Sequence, residues 1–188
     1  MVVILRSFIN QKTEQYFLLP LSISGYIATP LYKGQKQIVT QVKEGIISLS
    51  TSIRKGNFGE IVVDLDFFEK GYKDIHINKV NSIDHPNYQG IDHIFQDEIS
   101  GQYVIVETKW RNTPISTTLT GRQVSDSWIV GNNRLLNAVG GNDQLASEIL
   151  TNDYLRVIAR VQPDGSIAYR LADSDGYAIL GNAGVFNP

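Results

Sequence analysis

Glu60, Asp92, Glu107 and Lys109 are three carboxylates and one ammonium whose spacing can bring them to one place. Glu107 and Lys109 lie two residues apart in the apolar run 103–110, which reads as a strong strand. Side chains alternate along a strand, so these two share a face with Tyr103 and Ile105, while Val104, Val106, Thr108 and Trp110 take the other. Residues 97–102 read as the turn of an antiparallel hairpin, and folding there carries Asp92 back toward Glu107. Gly90, just ahead of Asp92, permits a tight bend or the close approach of a ligand. Hard divalent cations prefer oxygen ligands, so Glu60, Asp92 and Glu107 form a candidate metal set for Mg²⁺, Mn²⁺ or Zn²⁺. Lys109 beside them suits orienting a water or neutralising charge that develops on an attacked phosphate. The chemistry this set fits is metal-assisted hydrolysis of a phosphodiester, with all four as candidate catalytic residues.

The elements that must position them follow from hydrophobic period. Ile38, Val42, Ile46, Leu49 and Ile53 recur at helical spacing and predict an amphipathic helix over 34–53. Gly56-Asn57-Phe58-Gly59 reads as punctuation with Asn57 as N-cap, followed by a helix over 58–70 that carries Glu60 and ends at Gly71. Residues 75–77 alternate as a strand, 80–88 read as a loop, and 90–95 as a short strand holding Asp92. After a Thr- and Ser-rich loop at 112–120, a third helix is expected over 123–139 and a short one near 144–150. Residues 154–161 and 166–171 read as a hairpin turning at Pro163-Asp164-Gly165, and the Gly- and Asn-rich tail is expected on the surface. The order of helix, strands, helix and strand gives a mixed α/β class. Residues 1–50 are expected to form an N-terminal segment whose helix packs on the core, and 51–188 the main domain.

Composition sets outer bounds. The chain has 188 residues, 42% hydrophobic and 19% charged, enough to bury a core. A net charge of −2 lacks the basic excess of many nucleic-acid binders, although carboxylates that hold cations bias that balance. With no cysteine, disulfides, thiolate zinc sites and a cysteine nucleophile are excluded. The start of the chain does not have the pattern of a classical signal peptide. The apolar stretch 16–32, interrupted by Pro20, Gly25 and Pro30, is expected to be irregular or extended and packed on the domain, with an interfacial segment as the second reading and no stable membrane insertion.

Each candidate also has an ordinary reading. Glu60 equally suits a solvated helix face, and Asp64, one turn further on, could take its place. Glu107 and Lys109 could be a charged pair on an edge strand, but Val104, Ile105 and Val106 argue for a buried one. His93, following Asp92, should point to the opposite strand face as a packing or surface residue, while His85 could approach the cleft. Trp110 and Trp128 suit core or rim positions. Lys55, Lys109, Arg111, Arg122 and Arg134 fall around the proposed site and would supply phosphate contacts.

Taken together, Glu60 on an early helix, Gly90-Ile91-Asp92 and Glu107-Thr108-Lys109 at a strand end resemble the PD-(D/E)XK nuclease superfamily, with Ile91 where the nominal pattern has proline. The stretch from Lys55 to Glu60 and the run Gly121-Arg122-Gln123-Val124-Ser125-Asp126-Ser127-Trp128-Ile129 further resemble the nuclease toxin domains of contact-dependent growth inhibition proteins. The resemblance covers about 55–136. It implies a restriction-endonuclease-like core, a mixed central sheet flanked by helices. It also implies a divalent-metal-dependent endonuclease that is delivered by the producing bacterium, acts in the target-cell cytoplasm and is blocked by a cognate immunity protein. Gln123, Ser125 and Trp128 would then lie near the cleft, and Gln123, Ser125, Arg122, Arg111 and Lys55 form the substrate-binding set. DNA is the expected substrate ahead of RNA such as tRNA. A restriction or repair endonuclease and a non-catalytic nucleic-acid-binding module are the other readings.

Overall fold

The computed structural model describes residues 29–188. The stretch 16–28 therefore lies outside the described residues. Helix α1 (Pro30–Lys43) and helix α2 (Ser52–Glu69) precede strands β1 (Tyr72–Asp74), β2 (His93–Asp97) and β3 (Tyr103–Trp110). A small ribbon of β4 (Thr117–Thr118) and β5 (Gly121–Arg122) follows, then helices α3 (Asp126–Val130), α4 (Arg134–Ala138) and α5 (Asp143–Thr151). Strands β6 (Leu155–Val161) and β7 (Ile167–Leu171) complete the main sheet. Its order is β1-β2-β3-β6-β7, with β3 and β6 parallel and the other neighbours antiparallel. The protein is thus a mixed α/β fold with a central mixed sheet flanked by helices.

Strand β3 lies in the middle of that sheet, and its alternating side chains feed two separate cores. Val104 and Val106 pack with Phe58, Val62, Val63 and Phe67 of α2 and with Val157, Ala159 and Val161 of β6. Tyr103 and Ile105 face the other way, against Trp128, Ile129, Leu135, Ala138 and Ile149. A strand clamped by apolar layers on both sides has a single favourable register, because a one-residue slip would exchange the faces. Helix α1 adds Ile38, Val39 and Val42 to the first layer. No helix among the described residues is long and apolar enough to cross a membrane.

Several local expectations give way to tertiary structure. The helix expected over 34–53 runs instead over Pro30–Lys43. Gly45 then adopts φ +74°, and the next helix starts at Ser52, capped by the Thr51 hydroxyl, which accepts from the Arg54 N–H at 3.1 Å. Asn57 is consequently no N-cap. It is buried inside α2, and its Nδ2 donates to the carbonyls of Ile83 (2.9 Å) and His85 (2.8 Å), tying down the loop ahead of Asp92. The strand expected at 75–77 lies at Tyr72–Asp74, and the one expected at 90–95 begins at His93, leaving Asp92 just outside the ladder. The loop at 112–120 contains β4.

The largest departure is in 123–139, where one helix was expected. Two short helices are separated at Gly131–Asn133, with Asn132 and Asn133 at φ 54° and 56°. Gly131 is held close to the ribbon turn at this break: a Cβ there would lie 2.6 Å from Thr120 Cβ, so a side chain does not fit.

Gly59 sets how closely α2 sits on β3, because a Cβ there would lie 3.0 Å from Thr108 Cγ2. Gly59→Val should push the helix from the strand and destabilise the fold by about 1–3 kcal/mol, measured by urea unfolding. An unchanged midpoint would show that this approach is not a constraint.

Candidate active site

Glu60, Asp92, Glu107 and Lys109 line one cavity of about 390 Å³, together with Gly56, Tyr88, Gln123, Trp128 and Arg134 among others. Each arrives by a different local cause. Glu60 sits one residue after Gly59 on α2, so the tight seating of that helix on Thr108 places its carboxylate at the end of the sheet. Asp92 stands where the β2–β3 ladder ends, beyond the pair His93 and Val106. Its Oδ2 accepts the Thr108 N–H at 2.7 Å, so a side-chain carboxylate stands in for the next backbone acceptor. Glu107 and Lys109 share the opposite face of β3 from Thr108, and Lys109 Nζ lies 2.6 Å from Glu107 Oε1.

Glu107 is only 2% exposed, and its Oε2 is buried with no hydrogen-bond partner among the described residues. Burial, reinforced by the nearby Asp92 charge, pushes its pKa up to about 8 against the pull of Lys109 and Arg134. Burial also raises Asp92, with His93, Lys109 and the Thr108 N–H opposing in part. Glu60 is raised well above the ordinary carboxylate range by burial and then by Asp92, Asp64 and Glu107. All three groups feel one another, and all three would gain from a shared positive charge.

Orphaned Glu107 Oε2, the remaining oxygen of Asp92 and the Glu60 carboxylate are hard donors of the kind a divalent cation takes, so the chemistry of the set fits such an ion. Among the described residues, however, no three acidic or imidazole groups are already gathered closely enough to hold one. Capturing an ion therefore calls for side-chain adjustment within the cavity.

Asp64, the alternative to Glu60, does not line this cavity. It is buried behind it, where Oδ2 accepts from Gln35 Nε2 (2.9 Å) and Oδ1 lies 2.9 Å from His93 Nδ1 and 3.2 Å from Lys79 Nζ. Burial alone would raise its pKa, but Lys79, His93 and Gln35 together bring it below the ordinary range. His93 is buried on the face away from Glu107, as the alternation requires, and its Nε2 lies 2.9 Å from Thr108 Oγ1. Glu60 and Asp92 also border a water-sized chamber of about 20 Å³ with His76 and His85. Neither ring nitrogen of His76 has a side-chain partner there, and burial lowers its pKa to about 3, so it is neutral.

The residues expected to bind substrate divide. Gln123 lines the cavity. Ser125 is buried as the N-cap of α3, its Oγ accepting the Trp128 N–H at 3.2 Å. Arg122 donates from Nε to the Gly176 carbonyl at 3.0 Å and stacks on Tyr177, while Arg111 and Lys55 are also outside the cavity lining. Asn87, Tyr88, Gln89 and Thr118, which no motif in the sequence marks, also line it. For the first three, the available signal was their position directly ahead of Gly90-Ile91-Asp92.

Comparison of the chain with models of known protein families, with curated proteins and with solved structures finds no match.

The raised Glu107 carboxyl makes a signed prediction. It keeps its proton to about pH 8 in the fold but releases it near 4.5 when unfolded, so between those values the folded state binds more protons and stability falls as pH rises. Glu107→Gln should therefore raise the melting temperature in EDTA at pH 9, by roughly 2–4 °C per kcal/mol recovered, and change it little at pH 5. Equal shifts at both pH values would rule out the burial effect.

Proposed function

We propose that the protein is a divalent-metal-dependent endonuclease with a PD-(D/E)XK core. The observation that carries this reading is the meeting of Glu60, Asp92, Glu107 and Lys109 in one cavity, with a buried carboxylate oxygen left without a partner. The element order, a helix, three antiparallel strands, helices and a strand parallel to the third, supports it.

In this reading Glu60, Asp92 and Glu107 hold the cation. When bound, that ion supplies positive charge for a phosphoryl oxygen and acidifies a water. The chain's own groups do the remaining work. Lys109 Nζ, tied to Glu107 Oε1, presents its other protons to the water or to the phosphoryl oxygen that gains charge. Asp92 is fixed by the Thr108 N–H, so its free oxygen is presented from a rigid strand end. Glu107 would hold the cation as a carboxylate, so binding of the ion would displace the proton that its burial otherwise favours.

DNA is the proposed substrate, with a structured RNA such as tRNA second: the chemistry serves either backbone because it does not need a 2′-hydroxyl, and the resemblance to a toxin branch that contains DNases favours DNA. The biological role we propose is an interbacterial toxin that acts in the target-cell cytoplasm and is neutralised by an immunity protein. That role rests on the Lys55-to-Glu60 and Gly121-to-Ile129 stretches.

Purified protein with plasmid or tRNA should cleave in Mg²⁺ or Mn²⁺ and not in EDTA. Asp92→Ala, Glu107→Ala and Lys109→Ala should each lower the rate by about 10²-fold or more. Chelator-resistant cleavage, or full activity in Asp92→Ala, would sink the mechanism. Expression of the wild type in cells without a partner should arrest growth, and Glu107→Ala should relieve it; harmless accumulation of active enzyme would remove the toxin role alone.

A further inference from the structure

We infer that the cavity lined by the carboxylates also holds a phosphate subsite in which Arg134 and Gln123 are the donors, and that it receives a backbone phosphate of DNA. This rests on the nuclease reading and names how that site would hold its substrate.

Arg134 is anchored through a single nitrogen. Its Nη1 donates to Thr120 Oγ1 (2.8 Å), to the Trp128 carbonyl (2.9 Å) and to the Gly131 carbonyl (3.1 Å). The guanidinium also lies 4.7 Å above the Trp128 ring. All of these partners are neutral. Among the described residues, no carboxylate pairs with Arg134 and no acceptor meets its Nε or Nη2, although the residue lines the same cavity as Glu107. A half-buried guanidinium without a counter-ion is an unfavourable arrangement that an entering anion relieves. The planar fork leaves two donors side by side, which matches two oxygens of one phosphate.

Gln123 adds a second donor whose orientation is chemically forced. Its Oε1 accepts the Ser116 N–H at 2.9 Å, and a backbone N–H can only donate, so the amide nitrogen is the end left free. Gln123 lines the cavity as well.

The backbone is shaped around this subsite. The helix break that starts α4 at Arg134 requires two asparagines in the left-handed region, which L residues rarely adopt, and a glycine pressed against Thr120. Gly121, at φ +125°, has no room for a side chain, because a Cβ would meet Ser127 Oγ at 2.3 Å and Ser125 Oγ at 2.8 Å. Ribbon turn, helix break and arginine are therefore locked together, and local backbone strain of this kind concentrates at ligand-binding positions.

The test is a salt titration of binding. A short fluorescent DNA duplex is bound in EDTA by wild type, Arg134→Gln and Thr120→Val across a range of KCl concentrations, with tRNA as a parallel arm. Arg134→Gln should weaken binding about 10-fold or more and flatten the slope of log K against log salt by about 0.9, one phosphate contact. Thr120→Val, which removes only an anchor, should keep the wild-type slope. Weaker binding at an unchanged slope would mean a merely structural arginine and would overturn the subsite, as would no change at all. If Arg134→Gln fails to fold, phenylglyoxal labelling of wild type replaces it: duplex should protect Arg134 but leave Arg170 reactive, and equal labelling of Arg134 with and without duplex overturns the proposal. Preferential binding and protection by tRNA would overturn the choice of DNA. A wild type that binds and cleaves neither nucleic acid would bring down the nuclease reading and the subsite with it, whereas cleavage with an unaltered Arg134→Gln slope sinks the subsite alone.

Discussion

Three carboxylates at the end of one sheet repel one another in an interior where water cannot screen them, and much of the architecture works against that repulsion. Direct compensation is thin. Lys109 meets one oxygen of Glu107, and the Thr108 N–H meets one oxygen of Asp92. Glu107 Oε2 has no partner among the described residues. What keeps the strand end in place is packing further along β3, where Val104 and Val106 are gripped on one face and Tyr103 and Ile105 on the other. The apolar part of the strand stabilises, and its polar end departs from the optimum. Such a division is expected where a site must remain ready for a ligand.

Behind the cavity, a second set of charges shows what the first set lacks. Asp64 follows Glu60 by one helical turn, yet the two carboxylates are driven in opposite directions. Asp64 is met by Gln35 from α1, by Lys79 from the following loop and by His93 from β2, and it favours the charged form. Glu60 faces other carboxylates and favours the neutral form. His93 then reaches Thr108, whose N–H holds Asp92. A continuous set of hydrogen bonds thus runs from α1 through α2 and β2 to the strand that carries Glu107. Buried polar networks that are well satisfied rigidify the elements they join. Here the network fixes the far side of β3 so that the near side can carry unmatched charge.

The strand-level logic of this site was legible in the sequence. Alternation in Tyr103–Trp110 separates Glu107 and Lys109 from Val104, Val106 and Thr108, and the packing follows that division. The turn at 97–102 gave the approach of Asp92 to β3, because hairpin geometry is local. Less visible were features decided by distant contacts. Asn57 looked like a cap because of its glycine neighbours, but two carbonyls from the loop near Ile83 make it an interior residue of α2. Residues 123–139 carry a helical period, but the chain breaks at Gly131–Asn133, where Gly131 packs on Thr120, a contact from outside the segment. Ser125 and Arg122 have the residue types of substrate contacts, yet capping of α3 and the Gly176 carbonyl engage them. A serine three residues before a tryptophan N–H is equally a capping signal, so the spelling alone did not separate the two roles.

Net charge describes this protein poorly because charges of both signs gather around one cavity. A formal −2 suggests indifference to an anionic polymer. One cavity, however, is lined both by Glu60, Asp92 and Glu107 and by Arg134 and Gln123. Such an arrangement would be expected to collapse, with the arginine swinging over to the orphaned Glu107 oxygen and closing the space between them. Three hydrogen bonds donated by Nη1 and the Trp128 ring beneath the guanidinium resist that motion. The anchors are neutral, so they fix the position of the charge without cancelling it. Holding cation-seeking and anion-seeking groups apart is therefore a task of the backbone itself, carried by the ribbon turn and by two left-handed asparagines.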